Sequence, residues 1–345
     1  MPNIFELVKA DNLRVMWESD ENRAPYIGEA FFPNARQRGL KFSFIKGKQG
    51  VPVALVGANW NTNVLYRDRI GVETLSGSLP FFKEANKIDE ETRQEILSTK
   101  EEYLESVVDK VFDDEMELLE GADVTAERMR MQLLSTGTIS IVENGVNKQY
   151  DYGFDAESQY KQLPVLWSSA SADPMADIMA EIQNYEDLHN VTPTIAVMDK
   201  ALFRKIQNNE KVLSYFANLS TPNLYPSYAQ VLEFVQSQTG LQFVITNKTY
   251  LEARDFNGTP VKFYPEDRFT LLASADLGQT VYGTTPEEAD LLSGNSKASS
   301  VAVTSKGVAI TTWNEVDPVN VNTKVSEVVI PTCPNIEFIH IVKAI

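Results

Sequence analysis

Between Gly28 and Pro80 the chain is interrupted by Pro33, Gly39, Gly47, Gly50, Pro52, Gly57, Gly71 and Gly77, each a helix breaker or turn former. No helix of useful length survives that spacing, so the segment must be strand and loop. It also shows no evident core of its own. Long loops of this kind are functional or disordered, and a projecting hairpin fits the pattern. From Arg36 to Lys48 the even positions are Arg36, Arg38, Leu40, Phe42, Phe44, Lys46 and Lys48. In an extended chain these share one face, because side chains alternate with a period of two. That face has an apolar centre and cationic ends.

The next stretch is helical. Asp89 is placed as an N-cap, with Glu90 and Glu91 in the first turn, where the helix dipole favours acids. Ile96, Leu97, Tyr103, Leu104, Val107, Val108, Val111 and Phe112 recur at helical spacing, and Gly121 is a natural C-terminal stop. The expected rod, about residues 89–120, is on the order of 45 Å long. Glu101, Glu105, Asp109, Asp113 and Glu117 form an unbroken i, i+4 ladder of acids. Like charges at that spacing destabilise an isolated helix by about 0.2–0.5 kcal/mol per pair. Such a run is commonly a solvated face; the sharper reading is a stripe that receives cations from another chain. Charge distribution gives the sharper reading weight: residues 21–80 carry 8 basic against 4 acidic side chains, and residues 81–130 carry 7 against 16.

Further along, a second helix is expected from about Thr125 to Leu134, ending before Gly137. Two alternating runs then flank Asn144-Gly145, a strong hairpin signal. Asp173-Pro174 opens a helix with Asp as cap and Pro at the first helical position, and Met175, Ile178, Met179, Ile182 and Tyr185 line one face of it as core. The strand TIAVM, a helix from about Lys200, a helix near Ser227–Thr239 stopped by Gly240, the strand LQFVIT and a hairpin at Asn257-Gly258 follow. From Ser299 to Ile345 the chain is nearly all strand-like. Helices and strands mix without a regular βαβ repeat, which points to α+β.

Composition closes off several functions. The net charge is −17 over 345 residues, the wrong sign for a protein that coats nucleic acid. One cysteine and two histidines exclude an internal disulfide framework and a Cys/His zinc site. The N-terminal stretch lacks the layout of a signal peptide, and no window approaches a membrane span; the expected location is cytosolic, or release by lysis. Phosphate-loop, dinucleotide-loop, nucleophile-elbow and HExxH patterns are absent. Cys333 reads as a buried inert thiol, and His189, near a helix C-terminus, as a cation suited to the dipole. A carboxylate pair for hydrolysis is left open, since 48 acids supply many pairs. No catalytic, cofactor or metal residue is assigned.

Five strings carry a resemblance: YIGEAFFPNARQRGLKFSFIKGKQGVPVAL with LYRDRIGVETLSGSLPFFKEANKIDEETRQEI, then LLSTGTISIVENG, SADPMADI and GTTPEEADLL. The chain resembles the lambda-type major capsid proteins of tailed bacteriophages, in consistent order over most of its length. That resemblance implies an N-terminal arm (1–28), an extended β-hairpin loop (29–80), a peripheral domain with a long spine helix (81–152 and 280–325) and an axial domain (153–279 and 326–345). It implies a virion head protein, assembled in the bacterial cytoplasm, whose copies form the hexamers and pentamers of an icosahedral shell. Its expected partners are itself, a separate scaffolding protein, a portal, a decoration protein and enclosed DNA bound without sequence specificity. Loop lysines Lys41, Lys46 and Lys48 are available for a crosslink, but non-covalent closure is the expectation.

In that family the loop of one subunit lies over the peripheral domain of its neighbour. Cations Arg36, Arg38, Lys46 and Lys48 are therefore expected to meet the ladder Glu101, Glu105, Asp109, Asp113 and Glu117 of the next copy. An encapsulin-like compartment shell of the same fold and, less favoured, a carboxylate-dependent hydrolase are the alternatives.

Overall fold

The computed structural model describes residues 8–20, 25–46, 73–98, 101–143, 145–216, 225–252, 258–294 and 300–345. Two compact units divide the chain: one holds residues 1–43, 76–130 and 278–332, the other residues 44–75, 131–277 and 333–345. Both mix helix and sheet, as the sequence pattern requires.

The first unit is built on Val321–Thr332, a twelve-residue strand almost wholly buried. It pairs antiparallel with Ala309–Asn314 along one edge. Along the other it takes Phe81–Ile88 over its first eight residues and Gln279–Tyr282 over its last four. Asn34–Arg36 adds in parallel beside Gln279–Tyr282, with Asn34 opposite Thr280. Helix Ala10–Ser19 turns Ala10, Leu13 and Trp17 inward, a three-and-four spacing that forms one apolar stripe. Full burial of a side chain such as Leu13 is worth about 1.5–3 kcal/mol.

Residues 29–40 differ from the expected hairpin. Gly28–Phe31 is a helical turn that buries Phe31, residues 34–36 are a sheet strand, and 38–40 form a bend. Among the described residues of the expected loop, Lys41–Lys46 and Glu73–Ser78 pair as a separate ribbon. The even-numbered face therefore breaks at the bend. Its physical cause is Gly39 (φ +99°), whose N–H donates to Thr284 Oγ1 (3.2 Å). Lys48 and Gly47–Gly71 lie outside the described residues.

The long helix also differs. Asp89 caps as expected, accepting from Thr92 N (2.9 Å), but the helical run comprises Glu90–Ser98 and then Glu101–Thr136. Gly121 does not stop it, and the expected second helix is its continuation. A mid-helix glycine costs about 1 kcal/mol relative to alanine, less than the burial of Leu118, Leu119, Ala122, Ala126 and Met129 around it returns. The stop is Gly137 (φ +72°), where a left-handed residue lets its N–H reach Leu133 O (2.9 Å).

The second unit carries a five-stranded sheet in the order Tyr160–Gln162, Ile339–Lys343, Arg268–Leu272, Ile195–Asp199, Gln242–Thr246. Helix Pro174–His189 has Asp173 as cap, accepting from Ala176 N. It buries Met175, Ile178 and Tyr185, with Ile182 partly buried; Met179 is 42% exposed and leaves the expected stripe. Tyr228–Thr239 has a reciprocal capping box, Ser227 with Gln230, and ends at Gly240 (φ +70°). Thr138–Glu143 and Val146–Asp151 pair with Glu143 opposite Val146, a two-residue turn around Gly145; its Asn144 lies outside the described residues. So does Asn257 of the other expected hairpin, whose flanks Thr249–Tyr250 and Val261–Lys262 do pair.

Cys333 is fully buried, and burial holds its thiol far above the ordinary range. His189 is not the expected cation. It packs beside Tyr185 (4.6 Å) and Phe338 (5.7 Å), and burial, with His340 nearby, pushes its pKa down.

Candidate functional site

The charged groups singled out in the sequence fall into three environments. Arg36 is committed within its own chain: Nη2 meets Glu288 Oε1 at 2.5 Å and Nη1 donates to Thr304 O (3.4 Å). Glu288 stands in the first turn of Pro286–Ser293, and its N–H donates to the hydroxyl of the cap Thr285. Lys46 Nζ donates to Gly153 O (2.6 Å), beside the stacked rings of Phe44 and Tyr152. Arg38 and Lys41, by contrast, are exposed. Glu101, Glu105 and Asp109 lie on the long helix, with side chains outside the described residues. Asp113 and Glu117 follow one and two turns later, both exposed.

The same helix buries a second set of acids that the ladder does not include. Glu115 is 2% exposed, and burial pushes its carboxyl up to about 7. One and two turns past Leu119, Asp123 and Glu127 face the first unit's interior. Glu127 Oε1 accepts from Gly28 N (2.8 Å) and Oε2 meets Arg130 Nη1 (3.4 Å). Arg130 further donates from Nε to Thr280 Oγ1 (2.8 Å) and from Nη2 to Asn34 Oδ1 (2.6 Å). Lys306 Nζ lies 3.2 Å from Asp123 and 3.7 Å from Glu29. Thr280 Oγ1 donates to Phe32 O (2.8 Å).

This network and its surroundings account for five residues of the string YIGEAFFPNAR. Tyr26 donates to Glu120 (2.9 Å), Gly28 to Glu127, Phe31 and Phe32 are buried, and Asn34 accepts from Arg130. The sequence signal is present in Glu127 and Arg130, opposite charges three apart among Ala126, Met129 and Leu133, a pattern distinct from the like-charge ladder. Glu327, from the central strand, completes the buried set. Both its oxygens lack a hydrogen-bond partner among the described residues, and burial, then Asp123, holds its carboxyl well above the ordinary range.

A buried polar cluster of the second unit centres on Glu181. Glu181 receives Lys161 Nζ (2.7 Å) and lies 3.3 Å from His340 Nε2; despite burial, these bonds keep its carboxyl below the ordinary range. Among the described residues no group of His, Cys, Asp and Glu could hold a metal ion, and no helix is long and apolar enough to cross a membrane.

A family model described as phage major capsid protein E matches residues 9–344. No curated protein sequence matches the chain. Solved structures share its fold. A prophage protein of Escherichia coli CFT073 assigned to the capsid is 14% identical with a TM-score of 0.61, over 98% of this chain and 99% of that one. A phage-related protein of Bordetella bronchiseptica RB50 is 12% identical with a TM-score of 0.55, over 97% and 96%. The capsid of cyanophage A-1(L) is 14% identical with a TM-score of 0.53, over 95% and 94%.

Proposed function

Because the chain belongs to the phage major capsid protein E family, we propose that its copies tile a closed icosahedral shell, the head of a phage particle, around packaged DNA. The observation that carries this reading is the family match, which runs from the arm helix to the last strand. In this reading the first unit is the peripheral domain, the second the axial domain, and the ribbon Lys41–Lys46 with Glu73–Ser78 the base of the extended loop. No reaction is assigned. A scaffolding protein, a portal and a decoration protein are the further partners, and assembly takes place in the host cytoplasm.

Arg36 is neutralised by Glu288, so the intersubunit contact of the loop falls chiefly to Arg38 and Lys41. Their complements are the exposed Asp113 and Glu117 of the next copy, together with Glu101, Glu105 and Asp109. Each exposed pair contributes about 0–1 kcal/mol. Repetition around a shell turns such terms into control of register and encounter rate. Assembly should slow as salt rises, because the Debye length falls from about 10 Å at 0.1 M to about 3 Å at 1 M.

Electron microscopy of the full chain, expressed alone and with its scaffolding protein, provides the test. Closed shells are the expected product. Tubes, a persistent monomer, or shells that carry enzyme cargo in place of DNA would each reject the reading. Arg38→Glu should impair assembly and leave the monomer folded, and adding Asp113→Lys with Glu117→Lys should restore it in part. A triple variant no better than Arg38→Glu alone would return the acids to a solvated face.

A further inference from the structure

The second unit contains a cleft of about 580 Å³ walled by Lys200, Arg204, Tyr228, Thr246 and Asn247. Its position follows from strand topology. Ile195–Asp199 and Gln242–Thr246 are parallel neighbours with Asp199 opposite Thr246, so both end at one edge of the sheet. There the first strand passes into helix Lys200–Gln207 and the second into Asn247. The cleft lies where these paths part, outside the carboxyl ends of the two parallel strands.

The chemistry of the wall has one sign. Lys200 and Arg204 stand four residues apart on one helix face, and no carboxylate lines the cleft among the described residues. Asp199, the residue before Lys200, engages Ala201 N (2.6 Å) and Lys262 Nζ (2.7 Å) through Oδ1, while its buried Oδ2 has no hydrogen-bond partner among the described residues. Tyr228 is half-buried with its ring edge-on to Phe203 (4.9 Å), and burial raises its hydroxyl pKa, so it stays an O–H donor. Asn247 is exposed and brings an amide. A cationic cleft of this kind is unexpected in a chain with 48 acids against 31 bases. The forked guanidinium of Arg204 and the point charge of Lys200 match phosphate oxygens.

We propose that this cleft binds a phosphate-bearing ligand through Lys200 and Arg204. Two sources carry that chemistry, a free nucleotide and the phosphodiester backbone of DNA. Binding of inorganic phosphate, deoxyadenosine monophosphate and a labelled twelve-base-pair duplex to the full-length chain, measured by calorimetry and anisotropy, separates them. Saturable binding of the small phosphates alone supports the first source, and binding of the duplex supports the second. Lys200→Gln with Arg204→Gln should weaken binding at least tenfold.

For the duplex, the log–log salt slope should fall by about 1.8 in that variant, from about 0.9 per phosphate contact. Arg204→Gln alone, at an exposed position, should weaken binding several-fold and serves if the double variant does not fold. Binding of none of the probes, unchanged affinity in the variants, or tighter binding of polyglutamate than of every phosphate probe would overturn the assignment.

Discussion

Two stretches of one helix hold the same residue types in opposite roles. Asp113 and Glu117 point outward, with the buried Glu115 between them on the other face. Asp123 and Glu127 point inward, against Lys306, Arg130 and the Gly28 amide. Acid spacing is four residues in both stretches; what differs is what the rest of the chain places opposite. The outward acids are available to another molecule, whereas the inward ones fix where residues 26–36 run. A charge on a helix therefore declares its function only through its partner.

The contrast can be broken most forcefully at Arg130. Arg130→Met leaves Glu127 buried without its counter-charge, and loss of one member of a buried pair costs about 3–5 kcal/mol. Urea unfolding should show that loss; a change under about 1 kcal/mol would make the inner row as dispensable as the outer.

Glu115 comes next. Its carboxyl titrates at about 7 when folded against 4.5 as the ordinary value, because burial disfavours the charge. A raised folded pKa gives stability that is complete below pH 4.5 and is lost as pH rises through 7, by about 3 kcal/mol. Glu327 adds a dependence of the same sign. Glu115→Gln should flatten this part of the stability profile. A wild-type protein equally stable at pH 5 and pH 8, after correction for the remaining groups, would contradict the assignment.

A smaller effect is expected at Gly28. A Cβ there would stand 2.5 Å from Glu127 Oε2 and 2.8 Å from Arg130 Cβ. Gly28→Ala should cost about 1–3 kcal/mol, as overpacking does, with a lower thermal midpoint as the readout. Smallest of all is Asp113→Asn with Glu117→Gln, which should change monomer stability by no more than about 0.5 kcal/mol. A larger loss would place those side chains in the fold and remove them from the assembly surface.

Local chemistry was legible wherever a few neighbouring residues decide the outcome. Asp89, Asp173-Pro174 and Gly240 each satisfy or end a helix with groups at hand, so their roles follow from order alone. The α+β class and the capsid family were legible for a related reason: alternation, helical period and long specific strings survive in one dimension. Gly121 was misleading because its cost is local and small, while the packing that overrides it comes from Leu118, Leu119, Ala122 and Ala126 meeting the rest of the unit. Arg36 and Arg38 were indistinguishable as letters. Only the tertiary structure sets Glu288, 252 positions away, against Arg36, although both arginines are exposed. Sequence by itself determined which residues could be charged, capped or bent. The tertiary structure decided which charges face a partner, since burial and Coulomb attraction act over a few ångströms of space and are blind to separation along the chain.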